Sequence, residues 1–302
     1  MTVRRVVGRS PAGRVQFGDV VGDLIGLDAS TAVIDARSGP VEVSLDTIAV
    51  AKQAPPSTAD ELALEAIAAA GWRPAETAEL GGWILRANGG FTGRANSVLP
   101  LRAPGRPLDE ALRDAAGWYA ARDLPLRLLV PVEARRLLDA ELAERGWPAE
   151  PDVHVMAARL DRVRPDAPAG VAATVTAQPD EAWFTRYRDG AGADPAARGL
   201  LLRHDHAGFA AVRDGDRVVA IGRGTVDGEW LGITAVEVDP AMRRSGLARA
   251  VTAALIEWGA ARGAVRSYLQ VSAVNEPAVR LYERLGYWVH HDYRYRTEPL
   301  GD

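Results

Sequence analysis

Between Val238 and Arg249 the sequence sets out an anion-binding site. Val238-Asp239-Pro240 closes a strand-like apolar run, and a helical pattern opens at about Leu247-Ala248. The loop between them reads Ala241-Met242-Arg243-Arg244-Ser245-Gly246. N–H groups at a helix start have no helical acceptor, and the macrodipole adds partial positive charge there. Such an end suits a pyrophosphate. Gly246 tolerates positive φ and lets the backbone approach phosphates. Small Ala248 keeps the first helical turn out of the way, and Arg243 and Arg244 can add charge-assisted contacts to phosphate oxygens.

The elements needed to hold this loop are legible around it. A hairpin is expected over Phe209–Arg213 and Val218–Val226, turning at Asp214-Gly215-Asp216. A strand over Trp230–Val238, a helix over Leu247–Arg262, a strand over Ser267–Val274, a helix over Glu276–Leu285 and a strand near Trp288–Tyr295 follow. A helix is expected near Pro179–Tyr187, with Trp183, Phe184 and Tyr187 in the core. Upstream, helices are expected over 58–70, Asp109–Arg122 and Ala134–Arg145, and strands over Trp83–Ala87, Ala95–Leu99, Leu126–Val130 and Val153–Arg159.

The pattern Arg243-x-x-Gly246-x-Ala248 resembles the pyrophosphate loop of the GNAT N-acetyltransferase superfamily. The block Asn275-Glu276-Pro277-Ala278-Val279-Arg280-Leu281-Tyr282-Glu283-Arg284-Leu285-Gly286-Tyr287 resembles that family's next signature, and the interval fits one helix and one strand. The resemblance covers roughly Ala207 to Glu298 and implies an α/β (α+β) GNAT fold that binds acetyl-CoA as co-substrate. It implies a bulged strand with Val236, Glu237 and Val238 pairing with the pantetheine. The loop Arg243, Arg244, Ser245, Gly246, Leu247, Ala248 and Arg249 would hold the pyrophosphate, with Asn275, Ala278 and Tyr282 completing the cofactor site. A strand N–H would stabilise the oxyanion of a tetrahedral intermediate.

Tyr282 stands at the family's general-acid position, where a phenol can donate a proton to the leaving thiolate. Many members place the base carboxylate at the position that Thr234 holds here. Glu237 is then the remaining candidate: Val236 and Val238 are apolar, so strand alternation turns Glu237 to the opposite face. The implied reaction is acetyl transfer to a primary amine, of a small molecule or a protein lysine. Two alternatives stand beside it: a mycothiol-synthase-like tandem acetyltransferase, and an acyl-CoA-binding sensor or scaffold without catalysis, which the missing carboxylate at Thr234 favours.

The chain of 302 residues allows about two domains of ordinary size. One constant shift sets Trp258 on Trp118, Ala260-Ala261-Arg262 on Ala120-Ala121-Arg122 and Gly286 on Gly146 without a gap. This predicts an internal duplication, hence a tandem GNAT fold. The earlier copy reads as degenerate. Pro104 and Pro107 remove donors from its loop, and Leu142 stands in the place of Tyr282. Its stretch Phe91–Asn96 is polar and could line the substrate cleft. Residues 1–53 read as a small Src-homology-type β-barrel, with turns at Gly18-Asp19, Asp28–Ser30 and Ser38–Pro40. Linkers at 54–58 and 162–170 divide the chain into 1–53, 58–162 and 170–302.

A formal net charge of -4 argues against nucleic-acid binding by bulk charge. The absence of cysteine removes thiolate metal sites and cysteine nucleophiles. No apolar run spans a membrane, and the N-terminus lacks a secretory pattern, so a cytoplasmic monomer or homodimer is expected. His204-Asp205-His206 cannot easily converge on one ion from an extended segment; no metal is expected, and a substrate-facing loop is the reading given to it.

Overall fold

The structure, a computed structural model, describes residues 1–52, 55–164, 167–168 and 170–299. Residues 53–54, 165–166 and 169, which belong to the expected barrel end and linkers, lie outside the described residues. The chain divides into two compact units, Met1–Ser57 and Thr58–Asp302.

In the first unit β1 (Thr2–Arg9), β2 (Val15–Leu27), β3 (Thr31–Ala36), β4 (Gly39–Ser44) and β5 (Ile48–Lys52) form one antiparallel sheet in the order β4-β3-β2-β1-β5. Val3, Val20, Ala32, Ile34 and Val43 make its core. The turn expected at Gly18-Asp19 lies inside β2 instead. Gly18 pairs with Arg5 and Asp19 with Arg4, and the Arg4–Asp19 ion pair of 2.9 Å ties the strands across this point. Cross-strand pairing overrides the local turn preference.

The second unit runs α1 (Thr58–Ala70), β6 (Glu76–Leu80), β7 (Trp83–Ala87), β8 (Leu99–Pro100), α2 (Leu108–Ala120), β9 (Arg127–Pro131), α3 (Arg136–Glu144) and β10 (Val153–Arg159). It continues with β11 (Thr174–Thr176), α4 (Glu181–Arg186), α5 (Pro195–Leu202), β12 (Ala207–Asp214), β13 (Arg217–Asp227) and β14 (Trp230–Val238). It closes with α6 (Leu247–Ala260), β15 (Arg266–Ser272), α7 (Glu276–Leu285) and β16 (Trp288–Thr297). Under the shift that sets Trp258 on Trp118, α6 falls on α2, β15 on β9 and α7 on α3, as expected of a tandem fold.

One sheet of eight strands carries this unit in the order β11-β12-β13-β14-β15-β10-β16-β9; β6, β7 and β8 form a smaller sheet. The order shows an exchange. β10, the last strand of the first copy, pairs with β15 of the second, Val153 with Ser272 through Arg159 with Arg266. β16, the last strand of the second copy, pairs with β9 of the first, Tyr293 with Pro131 through Thr297 with Arg127. β10 and β16 pair with each other between these, so the two copies share one continuous ladder.

The strand expected at Ala95–Leu99 is instead a 3-10 turn at Gly93–Ala95 followed by the short β8. Asn96 is the cause. Its Oδ1 accepts the N–H groups of Asn88 and Gly90 at 2.7 and 3.0 Å, and its Nδ2 donates to the carbonyls of Phe91 and Thr92. A side chain that satisfies four loop backbone groups competes with a ladder. Helix α5 lies unforeseen between α4 and β12, although Asp194 caps it and Pro195 opens it. Trp183, Phe184 and Tyr187 are buried as expected.

Candidate active site

β14 pairs in parallel with β15 from Trp230–Arg266 to Ile233–Leu269, and there the pairing stops. On its other edge β14 is bulged: Arg223 pairs with Thr234 and Ile221 with Glu237, leaving Ala235 and Val236 opposite Gly222 alone. Ala235 takes a φ of 54°, a left-handed conformation that costs a residue with a Cβ about 1–3 kcal/mol. The bulge bends β14 away from β15. The opening is a cleft of about 230 Å³ lined by Val236, Glu237, Gln270, Asn275, Ala278 and Tyr282 among others. Both proton-transfer candidates therefore face one cavity.

Tyr282 is 7% exposed, on the inner face of α7, with its ring edge-on to Tyr287 at 5.9 Å. Burial holds its phenol well above the ordinary value, so it stays protonated. Glu237 is half-buried. Burial raises its carboxyl above the usual range, against a hydrogen bond that it accepts from the Arg188 N–H at 2.9 Å. Val236 and Val238 pack against the core, although Val236 sits in the bulge and lines the cleft together with Glu237. Thr234 donates to the Arg223 carbonyl at 3.4 Å and lines the same cleft.

The loop after β14 is anchored by Asp239. It accepts from the Ala241 N–H at 2.9 Å and pairs with Arg186 at 3.2 Å and with Arg217. Gly246 precedes α6 with a φ of 85° and no side chain caps the helix. Among the described residues, the N–H groups of Leu247, Ala248 and Arg249 donate to no protein acceptor. Arg243, Arg244 and Arg249 enter no ion pair among the described residues. Ser245 Oγ donates to the Met242 carbonyl. A Cβ at Gly246 would lie 2.2 Å from Cγ of Pro168, so only glycine fits beneath that ring. An uncapped helix start with three uncommitted guanidiniums fits a pyrophosphate. Leu247 itself is buried in the core; only its backbone can serve.

The first copy lacks these features. Its loop is stitched to the turn before β7, Gly82 N–H to the Ala103 carbonyl at 2.8 Å and Arg102 N–H to the Gly82 carbonyl at 3.0 Å. Pro107 precedes α2. Leu142 is fully buried in the core. Arg135, the counterpart of Asn275 in the register of the duplication, donates from Nε to the Pro100 carbonyl at 2.6 Å and from Nη2 to the Leu101 carbonyl. Its guanidinium thus takes strand-end carbonyls that an extended ligand would need.

Asn275 caps α7 by accepting the Ala278 N–H at 3.4 Å. The segment His204–His206 does not reach the cleft. His204 is buried against Asp227 at 2.9 Å and Asp205 pairs with Arg73 at 2.8 Å, which replaces the substrate-facing reading. Other wall residues were not foreseen singly: Trp72, Tyr187, Arg188 and Gln270. Arg94 also lines the cleft, from the Phe91–Asn96 stretch of the first copy. Among the described residues, no helix is long and apolar enough to cross a membrane.

Residues 58–296 match the family described as "Probable histone acetyltransferase Rv0428c C-terminal". The chain is 32% identical over 295 residues to "Probable histone acetyltransferase Rv0428c" of Mycobacterium tuberculosis, covering 95% of this chain and 91% of that protein. In three dimensions it resembles a GCN5-related N-acetyltransferase from Kribbella flavida, with a TM-score of 0.61, 21% identity, and coverage of 82% of this chain and 98% of that one. It also resembles a tandem GNAT protein from the clavulanic acid biosynthesis pathway, with a TM-score of 0.55, 13% identity, and coverage of 84% and 92%.

Proposed function

The chain belongs to the Rv0428c C-terminal acetyltransferase family, with a GNAT fold in tandem, and from that premise we propose that it transfers the acetyl group of acetyl-CoA to a primary amine by direct attack. The observation that carries this reading is the single cleft between β14 and β15 onto which Tyr282 and Glu237 both open.

Bound acetyl-CoA supplies an activated thioester. The backbone of 246–249, with Arg243 and Arg244, holds its pyrophosphate. Past Ile233, where the ladder with β15 ends, Val236, Glu237 and Val238 offer strand backbone to the pantetheine and an N–H to the oxyanion. Glu237 takes the proton of the incoming amine; its raised carboxyl pKa brings it nearer to that task at neutral pH. Tyr282 donates to the departing sulfur. Asn275 and Ala278 shape the cavity at the start of α7. The second copy alone does chemistry, while the first supplies a wall and two strands of the shared sheet.

The test is titration calorimetry with acetyl-CoA followed by an amine screen. One site per chain, with CoA released on adding an amine, supports the reading. No acetyl-CoA binding overturns it. Binding without transfer to any amine would favour a sensor.

A further inference from the structure

The cleft wall opposite in charge to Glu237 is built from side chains that the acetyl-transfer chemistry leaves unused. Arg94 reaches it from the 3-10 turn Gly93–Ala95 of the first copy. Its guanidinium lies 5.7 Å from the ring centroid of Trp72. Its hydrogen bond from Nη2 to the Gln270 carbonyl is long at 3.5 Å, and its Nε is buried without a partner among the described residues. It forms no ion pair with any carboxylate among the described residues.

Behind Trp72 stands a second such group. Arg223 is fully buried, with its guanidinium 5.4 Å from the same ring. Its Nε and Nη1 donate to the carbonyls of Leu201 and Gly71 at 2.9 and 3.1 Å, and among the described residues Nη2 has no acceptor. Nε1 of Trp72 is likewise buried without an acceptor among the described residues. Buried donors are nearly always paired, and buried guanidiniums nearly always have a counter-charge. Here unmet N–H groups on Trp72, Arg94 and Arg223 gather with no carboxylate in direct ion-pair contact among the described residues; Asp227 acts on Arg223 only from a distance.

The remaining charges on the cleft give the sign. Arg188 lines it too, its guanidinium 5.0 Å over Phe91 and 5.6 Å over Tyr187 and in no ion pair among the described residues. Glu237 is the one acid among the described lining residues. Two guanidiniums and one carboxylate would repel a plain diamine. They match a molecule with both an amine and an acid. A guanidinium's fork of donors fits a carboxylate's two oxygens.

We propose that the acceptor is an amine that also carries a carboxylate, an amino-acid-type substrate, with its acid held by Arg94 and its amine turned to Glu237. This rests on the amine-transfer reading above and narrows it to a substrate class. Arg223 is a positioning residue here: it adds positive potential behind the indole without touching substrate.

The full-length protein is assayed for CoA release with a thiol reagent, which meets no background because the chain has no cysteine. Acceptors are taken in pairs: lysine and cadaverine, phenylalanine and phenethylamine, each amino acid also as its amide, together with a peptide carrying one internal lysine. The expected result is a kcat/KM for the amino acid at least about 100-fold above its decarboxylated or amidated partner, the discrimination expected when removal of a ligand group leaves buried donors unpaired. Arg94→Gln brings the amino acid down to the level of that partner by raising its KM, and retained acetyl-CoA affinity reports that the variant folds. Arg94→Lys, which keeps the charge without the fork, restores part of the preference and serves if the glutamine variant fails to fold. Equal kcat/KM within each pair, or a faster reaction with the internal lysine peptide, overturns the inference and leaves amine transfer standing. Acetyl-CoA binding with no transfer to any amine overturns both.

Discussion

The carboxylate of Glu237 accepts the backbone N–H of Arg188 at 2.9 Å, and so ties the bulged strand to a segment held in the left-handed region. Arg188, Asp189 and Gly190 all have positive φ, at 45°, 50° and 95°. Such a run persists only where its surroundings hold it. On the proposed mechanism Glu237 therefore has two tasks, support of the 187–193 turn and proton acceptance. Gln at this position keeps an acceptor for Arg188 but cannot take a proton.

Glu237→Gln should lower kcat/KM at neutral pH by about 10²-fold. In the parent protein the rate should fall as pH drops through the Glu237 pKa, because on the proposed mechanism the protonated acid cannot act as base. Burial raises that pKa, so the acid limb should lie above the ordinary glutamate value of about 4.3 and be absent from the variant. A pH–rate profile of both proteins checks this. An unchanged acid limb would remove Glu237 from the proton path.

Tyr282→Phe should lower turnover by about 10²-fold or more with little change in acetyl-CoA affinity. The ring stays to fill the space beside Tyr287, and only the donor is lost. Steady-state kinetics and calorimetry on the same preparation separate the two effects. Undiminished turnover would show that solvent protonates the thiolate.

Calorimetry should find one acetyl-CoA site per chain, lost in Arg244→Glu/Gly246→Asp. An acid at the start of α6 opposes phosphate charge, and a Cβ at residue 246 meets the Pro168 ring. A second site would mean that the first copy binds after all.

Arg135→Ala should destabilise the protein by about 1–3 kcal/mol, because the Pro100 and Leu101 carbonyls lose their donor. Thermal unfolding monitored by circular dichroism reads this directly. Acetyl-CoA stoichiometry should stay at one, since the loop of the first copy remains stitched to Gly82. An unchanged melting temperature would mean that water replaces the guanidinium.

From β12 onward the helices and strands of the second copy are legible because local pattern and a two-block signature agree there, whereas β11 and α5 before it are not. Trp230–Val238 and Glu276–Leu285 have the bounds read from the sequence. The duplication was legible because its register has no gap. The strand exchange was not: a constant shift says which segments are alike, never which copy's neighbour each one joins. The Phe91–Asn96 stretch was seen as a possible wall, yet its conformation escaped because one side chain, Asn96, organises four backbone groups. Trp72 and Arg223 escaped altogether. Each looks like an ordinary core or surface residue until tertiary contact joins them, from far apart in sequence, through one indole.

The exchanged strands also set a timetable for synthesis. Val153 must wait for Ser272, and Arg127 for Thr297. Until synthesis has passed Thr297, β9 and β10 lack β16 and β15, their partners in the ladder, and bare strand edges invite association with other chains. Premature termination anywhere before β15 yields a fragment with open edges. Recovery of active protein should therefore depend on nascent-chain chaperones more than on the rate of elongation.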